Sequence, residues 1–303
     1  MAVAAQSAVP SLTVEPSGGA CGARISGLDL ARLDAAAFAE IERLFHRHEV
    51  VAFSDQRLDE QGLIAFAKRF GPLERHVSTA FHHPGTSELT VLSNLIKDGK
   101  NYGSPDAGQG WHTDMSYNEL PARATILHGL MVPVKDGKAL GDTLFASMTA
   151  AYDALPQEWK TRIAKLRAEH DYAKFYNYMI ETKGSDRPQL GERERREKPA
   201  VVHPLVVRHP WSGRTCLYAD PGYTVRVLGV PPAESDEILD FLFAHQTQEQ
   251  FRYSHSWRVN DVLMWDNIAT IHMATGGYDR STPRLMHRAQ VLGSKELYSR
   301  VNL

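Results

Sequence analysis

Apolar residues recur at helical spacing in two stretches of the first quarter of the chain. In each stretch an aspartate stands just before the first periodic residue, where its side-chain oxygen can accept a backbone N–H and begin a helix. Asp34 is therefore expected to begin one helix and Asp59 a second, which Gly71 ends. The apolar faces would be Phe38, Ile41, Leu44 and Phe45 in the first helix and Leu63, Phe66 and Phe70 in the second.

Short apolar runs of strand length dominate the middle and the last third of the chain. One long helix is expected over 148–166, and another over 231–246 begins with two prolines. Because the strands do not alternate regularly with helices, the pattern favours a mainly β fold, an antiparallel sandwich or barrel with flanking helices. The expected strands cover 124–132, 142–147, 201–210, 215–220, 261–267, 269–274 and 285–293.

The segment 171–200 does not continue the strand pattern. It begins with the aromatic stretch DYAKFYNYM and ends in the charge run GERERREKP. The charge run is expected to be a solvated loop or helix face, and the whole segment to be a lid-like insertion. No long linker or repeat divides the sequence, so we expect one domain over 12–303 after a flexible tail over 1–11.

Charge and cysteine content exclude several classes of protein. A formal net charge of −2 over 303 residues offers no basic surface for nucleic acid or an anionic membrane. No apolar run reaches the roughly 18 residues of a membrane span, and the N-terminus does not resemble a signal peptide. With only Cys21 and Cys216 present, a disulfide framework is not expected, and a cytoplasmic location is. The common phosphate-loop, dinucleotide, serine-elbow and H-E-x-x-H motifs do not occur, which leaves histidine and carboxylate chemistry.

The stretch WHTDMSYNELPAR, residues 111–123, has a histidine and an aspartate two positions apart. On a strand these side chains would share one face, so His112 and Asp114 would converge. His272, in the otherwise apolar stretch WDNIATIHMA, is the candidate third ligand. Two histidines and one carboxylate form the facial triad of non-haem Fe(II) oxygenases, which leaves positions open for a co-substrate and O₂. Two alternatives remain at this point: a zinc hydrolase that uses the same residues, and a jelly-roll binding protein without catalytic activity.

Two arginines follow the candidate ligands near the C-terminus. Arg284 and Arg288 are four positions apart in a strand-like stretch, so they are expected on one face of a sheet. Guanidinium groups suit bidentate recognition of carboxylates. Thr143, which follows a turn, would add a hydroxyl. The pattern therefore predicts an anionic co-substrate beside the metal.

Seven motifs in order along residues 12–291 resemble those of the TauD/TfdA family of Fe(II)- and 2-oxoglutarate-dependent dioxygenases. The resemblance implies a double-stranded β-helix, or jelly roll, and a homodimer or homotetramer. It implies that His112, Asp114 and His272 bind Fe(II). It further implies that Thr143 and Arg284 hold the distal carboxylate of 2-oxoglutarate, and that Arg288 grips an anionic substrate. The motifs are WHTD, GDTLF, TAAYDALP, AEHD, HPLVVRHPWSGR, WDN with a following histidine, and RLMHRAQVLG.

The resemblance also implies hydroxylation of a small organic acid, with release of succinate and CO₂. If the hydroxylated carbon bears an ether oxygen or a sulfonate, its C–O or C–S bond would then break. The substrate side departs from the pattern of the taurine enzyme: Gly108 replaces an asparagine, Thr79 a tyrosine and Tyr223 a phenylalanine. A carboxylate or sulfonate with a larger, aromatic body is therefore expected. The residues expected to contact it, besides Arg288, are His76, Met115, Phe175, Tyr176 and Tyr223.

Overall fold

The computed structural model describes residues 12–75, 82–185, 189–295 and 298. The expected tail over 1–11, together with His76 and Thr79, lies outside the described residues. Within the described part, no helix has the length and apolar character needed to cross a membrane. The helices are α1 (Ala35–His48), α2 (Glu60–Lys68), α3 (Met148–Asp153), α4 (Gln157–Ile163), α5 (Tyr172–Glu181), α6 (Glu192–Glu197) and α7 (Pro232–Gln246).

An eight-stranded sheet forms the larger layer of the fold. Its strands lie in the order β1-β2-β3-β18-β8-β20-β5-β4, and only β2 and β3 pair in parallel. The strands of this sheet are β1 (Thr13–Pro16), β2 (Ala23–Ser26), β3 (Val50–Phe53), β4 (His82–His83), β5 (Thr86–Ser93), β8 (Ala122–Met131), β18 (Val262–Asp266) and β20 (Leu285–Leu292).

A three-stranded sheet forms the opposing layer, in the order β17-β11-β19, and smaller units complete the fold. Its strands are β11 (Thr143–Ser147), β17 (Arg252–His255) and β19 (Thr270–Ala274). A second three-stranded sheet contains β12 (Arg167–His170), β13 (Val201–Pro204) and β16 (Thr224–Leu228). The hairpins are β6 (Ile96–Lys97) with β7 (Lys100–Asn101), β9 (Val134–Lys135) with β10 (Lys138–Ala139), and β14 (Val206–Arg208) with β15 (Thr215–Leu217).

Side chains of the large sheet alternate between two apolar layers, as the period of a β-strand requires. On β18, Met264 packs with α1 and α2 on what we call the outer face. Its neighbours Leu263 and Trp265 pack on the inner face against Phe145 of the opposing sheet. Two antiparallel layers with helices outside confirm the expected jelly-roll core.

The ends of the helices follow from local chemistry, with one correction. Asp34 and Asp59 accept backbone N–H groups at the starts of α1 and α2, which confirms both predicted caps. The single helix expected over 148–166 is wrong, because α3 and α4 are separate helices on either side of Pro156. Proline has no N–H to donate and disfavours helical backbone in the residue before it.

Candidate metal centre and active site

His112 and His272 lie opposite each other in an antiparallel bridge. Each backbone N–H donates to the other residue's carbonyl, over 3.0 and 2.7 Å. The expected strand through WHTD is wrong: His112 forms only this isolated bridge, and a turn begins at Asp114. Met115, the next residue, has a left-handed φ of 62°. Asp114 therefore reaches the histidines by reversal of the chain after the bridge.

The three predicted ligands form one compact, buried cluster. Asp114 Oδ1 lies 3.8 Å from His112 Nε2, and Asp114 Oδ2 lies 3.8 Å from His272 Nε2. These separations are too long for hydrogen bonds. They are shorter than twice a metal–nitrogen bond of about 2.1 Å, so one ion can lie between the atoms. The donor atoms of all three residues lie within 4.8 Å of one another.

The hydrogen bond on the far side of the His112 ring fixes its tautomer. His112 Nδ1 lies 2.7 Å from the carbonyl oxygen of Gly110. A carbonyl can only accept, so Nδ1 carries the proton and Nε2 keeps its lone pair. That lone pair faces Asp114 and His272. A backbone carbonyl behind a ligating histidine is a typical partner in metal sites.

Burial and neighbouring charges give all three groups their metal-binding protonation states. Burial, together with the facing His112, lowers the pKa of His272 to about 3. Burial also lowers the pKa of His112. Burial alone would raise the pKa of Asp114, but His272, Arg288 and His112 outweigh it and lower that pKa. At neutral pH the cluster contains two neutral imidazoles and one carboxylate, as divalent metals require.

Two other groups of histidines and acids in the described residues differ from this cluster in tautomer. His209 Nδ1 accepts the backbone N–H of Ser212 over 3.0 Å, and His83 Nδ1 accepts that of Gly85 over 3.1 Å. Each Nε2 therefore carries a proton and directs it at a carboxylate instead of a metal. The two groups are His46, His209 and Asp266, and Glu60, His83 and His287.

Arg284 lies close to Gly141, just before the start of β11 at Thr143. Arg284 lies just before β20, is only 4% exposed, and has no carboxylate within 4.0 Å among the described residues. Arg284 Nε lies so close to Gly141 that a Cβ atom added to this glycine would be 3.7 Å from it. Gly141 stands two residues before Thr143 in the chain. Trp257 Nε1 donates to Thr143 Oγ1 over 3.1 Å, so the threonine proton is free to be donated elsewhere. A buried cation without a counter-ion and a hydroxyl donor together suit an anionic ligand.

Arg288 lies beside the metal cluster on the inner face of the large sheet. Its Nη1 is 3.9 Å from Asp114 Oδ1, and its buried Nε has no hydrogen-bond partner. This guanidinium is therefore available to a second anion close to Asp114.

Aromatic side chains pack around His112. The Phe175 ring on α5 lies 4.9 Å from the His112 ring, and the Tyr223 ring lies 6.0 Å from it. Met115 is buried next to Asp114. The Tyr176 ring instead lies 5.7 Å from that of Tyr172. Phe175 and Tyr223 thus lie against His112, Met115 follows Asp114 in the chain, and Tyr176 contacts Tyr172.

Sequence reasoning missed several residues of the same site. Tyr117 lies in the quoted WHTD stretch and packs on Tyr223 at 4.7 Å. Tyr172 joins the same aromatic cluster. Thr125 donates to Asp114 Oδ2 over 2.7 Å. The aromatic density of 172–178 could have indicated the tyrosines, but a single threonine on a strand carries no such signal.

Comparison with known proteins agrees with this geometry. Residues 13–290 match the family described as taurine catabolism dioxygenase TauD, TfdA family. The chain is 36% identical over 267 residues to an α-ketoglutarate-dependent 2,4-dichlorophenoxyacetate dioxygenase of Cupriavidus pinatubonensis, covering 84% of this chain and 88% of that protein. It is 32% identical over 276 residues to pentalenolactone F synthase of Streptomyces arenae, covering 88% of this chain and 89% of that protein.

Among solved structures, the fold resembles that of AAD-2 in complex with Mn(II) and N-oxalylglycine. The TM-score is 0.78 at 29% identity, over 94% of this chain and 98% of that one. The family match over residues 13–290 and the identities of 36% and 32% to these relatives establish the family of this chain. The chain belongs to the TauD/TfdA family and is a 2-oxoglutarate-dependent dioxygenase.

Proposed function

We propose that His112, Asp114 and His272 bind one Fe(II). The hydrogen bond from His112 Nδ1 to the Gly110 carbonyl carries this proposal, because it leaves a lone pair on Nε2 facing the other two ligands. With 2-oxoglutarate bound, Fe(II) would supply activation of O₂, coupled to oxidative decarboxylation to succinate and CO₂. The residues of the chain would hold both substrates in reactive positions beside the metal and exclude water.

Arg284 and Thr143 are the proposed clamp for the distal carboxylate of 2-oxoglutarate. The support is the buried guanidinium without a carboxylate partner, together with a hydroxyl whose proton is uncommitted. A zinc hydrolase or a non-catalytic binding protein would leave this buried cation without a counter-ion, which is costly. The clamp therefore favours the dioxygenase over both alternatives that the sequence left open.

The proposed primary substrate is a small aromatic acid, anchored through its carboxylate or sulfonate by Arg288. The anion would bind next to Asp114, and the body of the molecule would contact Phe175 and Tyr223. The names of relatives that act on 2,4-dichlorophenoxyacetate, (S)-phenoxypropionate and a sulfate ester support an organic acid or ester with an oxygen-bearing carbon. His76 remains a predicted contact outside the described residues.

Hydroxylation next to an ether oxygen would lead to bond cleavage. An aryloxyacetate would gain one hydroxyl on its CH₂ carbon, giving a hemiacetal. That hemiacetal would collapse to a phenol and an aldehyde acid, the hydroxyl proton moving to the phenol oxygen. The second atom of O₂ would leave in succinate.

A substrate panel tests this proposal. Metal-free enzyme reconstituted with Fe(II) would be given 2-oxoglutarate and aryloxyacetates, arylsulfonates or alkyl sulfates, with succinate and O₂ uptake measured together. We expect aryloxy acids to raise succinate formation well above the substrate-free rate, with one phenol per succinate. Equal succinate with every compound would contradict an aromatic acid substrate.

The segment 171–200 is the proposed cover of the site. The support is α5, whose Phe175 packs on His112, while the described residues of α6 are solvent-exposed. Phe175→Ala should raise the KM of the organic acid about tenfold by loss of buried apolar area. Tyr176→Ala is the matched control and should change it little, because Tyr176 contacts Tyr172 instead. Equal effects of the two variants would contradict the assignment.

Three broader assignments concern domain extent, oligomeric state and location. We expect one domain over 12–303. A homodimer or homotetramer is expected from the resemblance to the family. A cytoplasmic location is supported by the two unpaired thiols, Cys21 and Cys216. Analytical ultracentrifugation would test the oligomer.

A further inference from the structure

A buried threonine lies directly behind the Asp114 carboxylate. Thr125, near the middle of β8, is fully buried and pairs across the sheet with Trp265 and Gln290. Its Oγ1 is 2.7 Å from Asp114 Oδ2. An ionised carboxylate can only accept, so Thr125 donates its single hydroxyl proton to Oδ2.

Two amides keep that proton directed at Asp114. Asn267 Nδ2 donates to Thr125 Oγ1 over 3.0 Å, and Gln290 Nε2 approaches the same atom at 3.4 Å. Both amide N–H groups donate to the hydroxyl oxygen, and neither can accept the hydroxyl proton. Asn267 Oδ1 is left buried without a partner among the described residues, which costs stability. A polar group held at such a cost is typical of functional sites.

The two oxygens of Asp114 are therefore not equivalent. Oδ2 already accepts a strong hydrogen bond from Thr125. Oδ1 accepts no such hydrogen bond, although each oxygen lies 3.8 Å from one ligand nitrogen, Oδ1 from His112 Nε2 and Oδ2 from His272 Nε2. Oδ1 also lies 3.9 Å from Arg288 Nη1. A carboxylate that bound a metal through both oxygens would occupy a position that the co-substrate or O₂ needs.

We propose that Thr125 is a positioning residue, which fixes the Asp114 carboxylate and engages Oδ2 so that Oδ1 is presented to the metal. The inference rests on the proposed role of Asp114 as a metal ligand. Partners behind a ligand typically change metal affinity or activity by about 10- to 100-fold when they are removed.

Metal binding, measured without turnover, tests the role of Thr125. Metal-free protein would be titrated with Co(II) and then with 2-oxoglutarate, following the visible absorption of the metal. Thr125→Val keeps the side-chain shape and removes the hydroxyl, while Thr125→Ser restores it. Thr270→Val is the matched control, because it removes a buried hydroxyl that donates over 2.7 Å to the Asp266 carbonyl and not to a proposed ligand. Thr125→Ala decides the question if the valine variant does not fold.

Thr125→Val should bind Co(II) about 10- to 100-fold more weakly than wild type, with an altered spectrum. Thr125→Ser should restore most of the affinity, and Thr270→Val should lose stability but not affinity. Wild-type affinity and spectrum in the valine and alanine variants would overturn the positioning role alone. Failure of the wild-type protein to bind Co(II) and 2-oxoglutarate would instead overturn the proposed function itself.

Discussion

The candidate metal site and the group of His46, His209 and Asp266 each bring two imidazoles and one carboxylate within 4.8 Å. In the candidate site no ring nitrogen is within hydrogen-bond distance of the carboxylate, and both contacts measure 3.8 Å. In the second group, His209 Nε2 lies 2.8 Å from Asp266 Oδ2, a strong hydrogen bond. The same chemical groups thus leave room for an ion in the candidate metal site, whereas in the second group they form a hydrogen bond with each other.

The backbone partner of one histidine in each group matches this difference. In the candidate site, His112 Nδ1–H donates a hydrogen bond to the carbonyl oxygen of Gly110. A backbone N–H, that of Ser212, donates to the far nitrogen of His209. The nitrogen facing the carboxylate is therefore a lone-pair donor in the first case and an N–H in the second. Composition alone does not distinguish the two groups, whereas the tautomers that the main chain sets for His112 and His209 do.

The arginines near the two groups differ in whether protein groups already satisfy them. Arg123, next to the second group, donates to Glu42 over 2.7 Å and to the Phe70 carbonyl, and stacks on Trp211. Arg284, near the candidate site, has no carboxylate partner among the described residues. One arginine completes the packing of the protein, and the other is available to a ligand.

The same substitution in the two clusters gives the largest expected contrast. Asp114→Asn should reduce Fe(II) affinity at least about 100-fold, because the anionic ligand is lost. Asp266→Asn should keep one metal per chain but lower the free energy of unfolding by about 1–3 kcal/mol, because its hydrogen bond to His209 is disturbed. Metal analysis after dialysis and urea denaturation measure the two effects. Metal loss in the Asp266 variant alone would reverse the assignment.

Exchange of the two arginines for alanine should separate ligand binding from stability. Arg284→Ala should weaken 2-oxoglutarate binding about 10- to 100-fold, the loss expected for charge-assisted hydrogen bonds. Arg123→Ala should leave that affinity near wild type and destabilise the fold. Isothermal titration of the metal-loaded protein with 2-oxoglutarate decides between them. The clamp assignment is contradicted if Arg284→Ala binds 2-oxoglutarate as wild type does.

The pH dependence of stability gives the smallest expected effect. Burial lowers the pKa of His46 to about 4, partly opposed by Asp266, while His209 and Arg123 lower it further and Glu42 raises it. The unfolded chain therefore binds more protons than the folded one between about pH 6.5 and 4, so this group costs stability as the pH falls through that range. His46→Phe keeps a ring against Trp211. Between pH 7 and pH 5 the free energy of unfolding, measured by urea denaturation, should therefore fall by about 1–2 kcal/mol less in this variant than in wild type. An unchanged pH slope would show that His46 does not titrate in this way.

Local rules predicted much of the fold from the sequence. The caps at Asp34 and Asp59, the buried strands and the mainly β class depend on spacing and on turn residues, which the sequence contains directly. The jelly roll itself was implied by the resemblance to the family and not by the pattern. The helix over 148–166 failed because Pro156 outweighed an otherwise helical pattern.

The site was predictable only as far as residue types allow. His112, Asp114 and His272 were predicted together, and the structure brings them together, although by a turn and not by a strand. Thr125, Asn267 and Gln290 could not be predicted, because they meet only through pairing of β8 with β18 and β20. The tautomers of the histidines likewise depend on backbone partners that only the fold supplies.

An anaerobic titration tests the central claim, a single Fe(II) at His112, Asp114 and His272, most directly. Metal-free protein would receive Fe(II) and then 2-oxoglutarate while visible absorption is recorded. We predict saturation at one Fe(II) per chain and a weak charge-transfer band that appears only with 2-oxoglutarate, is lost in Asp114→Asn and is kept in Asp266→Asn. No band in wild type, or the same band in Asp114→Asn, would contradict the account.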